Sequence, residues 1–116
     1  MPELIYSSEK FGCGATIKLD SGEVCMISVA QSGVLVRSYR DGSLFGSWFG
    51  PILYNEKAVY KAARTAMTLA LHYPGKTPLP TFQNPVLSAF ANAVWHSSSA
   101  AEVSIVLNEA SERPVA

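Results

Sequence analysis

The spacing of apolar positions changes twice along this chain. Four short runs of strand-like composition come first: Cys13–Leu19, Val24–Ala30, Val34–Arg40 and Leu44–Phe49. The dipeptides Ser21-Gly22, Ser32-Gly33 and Asp41-Gly42 lie between them, and glycine supplies the positive φ that tight hairpins need. Strands joined by turns this short are antiparallel neighbours, so residues 12–49 predict a four-stranded meander. Residues 1–11 show no such pattern and read as an irregular lead.

From Asn55 the period becomes helical. Val59, Ala62, Ala63, Ala66, Leu69, Ala70 and Tyr73 share one side, with Lys57, Lys61, Arg64, Thr65, Thr68 and His72 opposite. Asn55 as a cap and Pro74-Gly75 as a stop predict a long amphipathic helix over 55–73, seated on one face of the meander. Residues 74–85 hold Pro74, Pro78, Pro80 and Pro85 and read as a stiff extended connector. Asn84-Pro85 is a cap followed by proline at the first helical position, opening a short helix that ends near His96. Ser99-Ala100-Ala101-Glu102 is a capping box that opens a last helix. The helical pair spans 85–111, and 112–116 is a frayed tail. The expectation is one α+β domain over 1–116, with a long helix packed on a four-stranded antiparallel meander and two short C-terminal helices.

Two-residue turns would set Cys25 opposite Lys18 and fix the faces. Ala15, Ile17, Leu19, Met26, Leu35 and Trp48 then fall on one side, and Cys25, Ile27, Val29, Val34, Val36, Phe45 and Phe49 on the other. Both sides are apolar, where a sheet covered on one side alternates cleanly. One helix covers one face, so the second needs either the C-terminal helices or another copy of the protein. In the last run Gly42-Ser43-Leu44-Phe45 is repeated as Gly46-Ser47-Trp48-Phe49. Large aromatics anchor interfaces, which makes Phe45, Trp48 and Phe49 the candidate partner-binding residues.

Composition points the same way. Of 116 residues 48% are hydrophobic and 16% charged, against roughly 25% charged in typical soluble domains. A chain this small hides that much apolar surface with difficulty. Nine Lys+Arg balance nine Asp+Glu, which leaves little electrostatic capture for nucleic acid. The charges are nevertheless unevenly placed. Lys57, Lys61 and Arg64 share one helix side with His72 further along it, and Arg37 and Arg40 of the third run could extend the stripe. These six are the candidate anion-binding residues.

Catalytic and metal chemistry find little foothold. The two Cys and two His lack the Cys-x2-Cys or His-x3-His spacing of zinc sites. No nucleophile elbow, dinucleotide fingerprint or phosphate loop occurs. The carboxylates fall in turns, helix starts and termini, where capping and solvation account for them. The last two helices outline a helix-turn-helix, but the second carries Glu102 and Glu109 and no Lys or Arg. No metal, no cofactor and no catalytic residue is expected. The start of the chain lacks a basic, then apolar leader, and no run reaches about 18 apolar residues. The expectation is therefore a cytoplasmic protein without a membrane span, its two cysteines unpaired. Its expected role is that of a small binding or adaptor protein, acting as a homodimer or with another protein. The alternative is a domain or minor enzyme that holds a small anionic ligand on the basic stripe.

Overall fold

A computed structural model of the chain describes residues 2–9, 13–30, 33–50, 79 and 81–111. Five strands, β1 (Glu3–Ser8), β2 (Cys13–Lys18), β3 (Val24–Ala30), β4 (Gly33–Arg40) and β5 (Ser43–Gly50), form one sheet in the order β1-β2-β3-β4-β5. Every neighbouring pair is antiparallel. Among the described residues two short helices follow, α1 (Pro85–Trp95) and α2 (Ala100–Ser111). The protein is a small α+β fold built on an antiparallel sheet.

The four-stranded meander under a long helix is thereby corrected. Residues 3–8, taken as irregular, form a full edge strand. Leu4-Ile5-Tyr6 is a run of good strand formers, but it reaches β2 through residues 9–12 without a tight-turn dipeptide. The helix that packs on β2 and β3 is α1, only 11 residues long. The long helix expected over 55–73 lies outside the described residues, as do most of the connector and the tail 112–116.

Loop geometry sets the register. Between β2 and β3 the loop has three residues, not two: the Gly22 N–H donates to the Leu19 carbonyl at 2.9 Å and the Leu19 N–H to the Glu23 carbonyl at 2.8 Å. Gly22 sits at φ +91°, so a type I turn closes on a left-handed glycine. Cys25 consequently pairs with Ile17 rather than Lys18. A shift of one position exchanges every side chain between faces. Ala15, Ile17 and Leu19 thus join Cys25, Ile27, Val34 and Val36 on one side. The Asp41-Gly42 turn does have two residues, both at positive φ, and pairs Arg40 with Ser43. Phe45 then bulges out of the ladder, because Tyr39 pairs with Leu44 but Ser38 with Gly46. The bulge turns Trp48 toward the side of Val36, its partner, and Phe49 to the opposite side.

The side that gathers Ile17, Ile27, Val34 and Val36 is the core. Those residues cluster with Leu87, Phe90, Ala91 and Val94 of α1, while Leu79, Phe82 and Val103 close its margins. Trp48 stacks at a tilt on Phe90, ring centroids 5.0 Å apart. Helix α1 starts as its sequence predicts. Asn84 Oδ1 accepts from the Val86 and Leu87 N–H groups at 2.9 and 3.1 Å, ahead of Pro85 in the first turn. Helix α2 opens with part of the expected box: the Glu102 N–H donates to Ser99 Oγ at 3.4 Å, and the Glu102 carboxylate accepts from the N–H of Ser98, the residue before the cap.

Candidate functional site

Both described helices pack on one side of the sheet, and neither of them lies on the opposite side. Strand pairing arranges that open face in three rows. Glu3, Lys18, Val24, Tyr39 and Leu44 form the first; Tyr6, Thr16, Met26, Arg37 and Ser47 the second; Ser8, Gly14, Ser28, Leu35 and Phe49 the third. Tyr6 is 61% exposed, Leu44 59%, Phe49 56% and Met26 40%, with Val24, Leu35 and Tyr39 half-buried among them. Single exposed hydrophobes are ordinary; here several share one face, interleaved with Glu3, Lys18, Thr16, Arg37 and Ser47. The face is uneven. A shallow depression of about 470 Å³ runs along β1, β2 and β3, with Tyr6, Ser8, Gly14, Thr16, Met26 and Ser28 in its lining. Ser8, Gly14 and Ser28 in that lining are small, whereas Leu35 and Phe49 of the same row are large.

The three aromatic candidates part company here. Phe49 alone stands on the open face. Trp48 points to the helices and belongs to the core through Phe90. Phe45 sits at the bulge, its ring 4.3 Å from the Arg40 guanidinium carbon. The two described basic candidates also separate: Arg37 lies exposed on the open face, while Arg40, three residues on, turns to the helix side and holds Glu23. They do not form one patch. Lys57, Lys61, Arg64 and His72 lie outside the described residues.

Glu23 is the polar residue that sequence reasoning missed. Its Oε1 accepts from the Ser21 hydroxyl at 2.8 Å and from the Ala100 N–H at 3.1 Å, and Oε2 accepts from Arg40 Nη2 at 3.2 Å. The Glu23 side chain is 6% exposed, that of Arg40 56%. Burial pushes the carboxyl's pKa up and is the largest single influence. The bonds from Ala100, Ser21 and Arg40, with the arginine's charge, outweigh it and hold Glu23 below its ordinary 4.5. An ionised carboxylate at the start of α2 suits the exposed N–H groups and dipole there. With its oxygens engaged and its proton gone, Glu23 is a clamp and not a general acid. Nothing in the sequence signals the partnership, since Ala100 stands 77 positions on. Glu9 holds the residues leading into α1, accepting from the Gln83 and Asn84 N–H groups at 3.1 and 2.9 Å.

The cysteines are both free. Burial pushes the Cys25 thiol up, and its Sγ lies 3.4 Å from Ser38 Oγ, a poor setting for a nucleophile. Cys13 accepts from Asn84 Nδ2 at 3.4 Å. Among the described residues no group of three or more His, Cys, Asp or Glu could hold a metal ion. No helix among them is long and apolar enough to cross a membrane.

Fold and surface together define a small α+β domain whose helices cover one side of an antiparallel sheet. No protein-family model matches the chain, and no curated protein or solved structure shows significant similarity to it.

Proposed function

We propose that this protein is a binding module that associates through the open face of its sheet, and that its partner there is a second copy of the chain. The observation behind this reading is the exposure of Tyr6, Met26, Leu44 and Phe49 on the side of the sheet away from α1 and α2. A second copy suits the face because one surface offers both large apolar side chains and a small-lined depression. A two-fold interface needs that self-complementarity. Formal neutrality, nine positive against nine negative side chains, removes the overall repulsion between like molecules.

Size is consistent with a dynamic dimer. Five strands at sheet spacing give a face of roughly 500 Å² per copy, so about 1,000 Å² in total, the lower bound for a specific interface. Association in the micromolar range is expected. Phe49→Asp or Met26→Asp would bury an unpaired carboxylate in such an interface, and about tenfold weaker self-association, or more, should follow in sedimentation equilibrium. Circular dichroism should be unchanged, because Phe49 is 56% and Met26 40% exposed and neither belongs to the buried core. Variants that associate as tightly as the wild type would refute the reading.

A further inference from the structure

We propose that Ile5 and Phe45 guard the two outer edges of the sheet, each interrupting its strand so that a second chain cannot extend the sheet by pairing along β1 or β5. These are the outermost of the described strands. The outer side of such a strand presents a row of backbone N–H and C=O groups with which an extended chain can pair. The inference does not depend on the dimer proposed above, which uses the face of the sheet and not its edges.

The place where the ladders break carries the inference. The inner ladders, β2 with β3 and β3 with β4, run without a shift of register. Both outer ladders break once, and each time the extra residue lies on the outer strand. Leu4 pairs with Ile17 and Tyr6 with Thr16, neighbours in β2, so Ile5 has no counterpart. Leu44 pairs with Tyr39 and Gly46 with Ser38, neighbours in β4, so Phe45 has none. Pairing does not need either residue: without Ile5 or Phe45, the residues on both sides would keep the partners they have. Burial does not account for them either, since Ile5 is 53% and Phe45 49% exposed.

The composition of the two strands shows what the extra residues do. A sheet edge is blunted by charged side chains, by proline, or by a bulge that bends and twists the strand. Strand β5 contains no charged residue and no proline, and Glu3 is the one charge in β1. Residues 44–49, Leu-Phe-Gly-Ser-Trp-Phe, are an uncharged run of the kind that stacks into cross-β assemblies when it lies straight at an edge. The bulge divides that run, leaving residues 43–44 and 46–50 as separate stretches. In β1 it leaves 3–4 and 6–8. A straight incoming strand can match the outward backbone groups on one side of a bulge but not on both, because the extra residue throws the two sides out of register.

Deleting Ile5 or Phe45 from the full-length chain straightens one edge without moving any other described residue to the opposite face. Ile5→Ser and Phe45→Ser keep the bulges and remove only the apolar side chains. The contact of the Phe45 ring with Arg40 is lost in the deletion and in the serine variant alike, so comparing the two isolates the bulge. Sedimentation velocity, read beside thioflavin T fluorescence, separates a closed dimer from open-ended stacks of strands. Each deletion should form species larger than a dimer at a concentration about tenfold below that of the serine variant at the same position. That is the gain from roughly one or two restored backbone hydrogen bonds. The comparison holds whether or not the wild type dimerises through its open face. A folded deletion variant that matches its serine counterpart would overturn the guard at that edge. So would a deletion that abolishes cooperative unfolding in urea, because the extra residue would then be part of what the fold requires.

Discussion

Glu23 joins three parts of the chain that lie far apart in sequence: the β2–β3 loop through Ser21, strand β4 through Arg40 and helix α2 through Ala100. As a residue in a polar loop it gave no hint of this, since a solvated turn carboxylate has the same local sequence. Its partner Arg40 is half in water, so the charge-assisted bonds to the buried carboxylate matter more than the ion pair itself. Glu23→Gln keeps the shape and removes the charge, and a loss of about 1.5–3 kcal/mol is expected. Arg40→Met should cost less than about 1 kcal/mol. Urea unfolding followed by tryptophan fluorescence measures both. The sign of the pH dependence follows from the lowered folded-state pKa. Glu23's contribution is fully present above the unfolded value near 4.5 and is lost as the pH falls through the folded one. The stability gap between wild type and Glu23→Gln should therefore hold steady above about pH 5.5 and close toward pH 3. A gap that widens on acidification would contradict the clamp.

At the level of elements, strands β2–β5 and the starts of both helices were legible because their signals are local. Strand-forming runs, the Asp41-Gly42 turn, Asn84-Pro85 and Ser99 with Glu102 each act within a few residues. Register was not legible, because a two-residue and a three-residue loop around Ser21-Gly22 differ in sequence by nothing. Yet that one position decides which side chains reach the core. Gly22→Ala tests the loop. Its added Cβ would meet nothing within 4 Å, so the cost is that of the left-handed backbone alone, about 1–2 kcal/mol. The bulge at Phe45 is likewise invisible in a run that alternates without a break, and it separates neighbours in function. Trp48→Ala, which opens a gap beside Phe90, should lower stability by about 2–3 kcal/mol. Phe49→Ala should change the stability of the dilute single chain by no more than about 0.5 kcal/mol. Equal losses from the two would show that Trp48 and Phe49 do not lie on opposite faces.

For the whole molecule, low charge and high apolar content raise the expectation of a surface in need of cover, without saying where it lies. The two-residue register spread apolar side chains evenly over both faces. The three-residue loop and the bulge concentrate the aliphatic ones under α1 and leave Tyr6, Met26, Leu44 and Phe49 on the other side. Strand β1 adds Tyr6 and Ser8 to that face, so the strand missed in the sequence supplies part of the depression. The proposed dimer joins two copies through this face. Native mass spectrometry of the untagged protein over a concentration series tests it most directly. A species at twice the chain mass of 12.5 kDa is expected, populated in the micromolar range and shifted to the single chain by Phe49→Asp. A single chain of 12.5 kDa at every concentration would contradict it and give the open face to a different occupant.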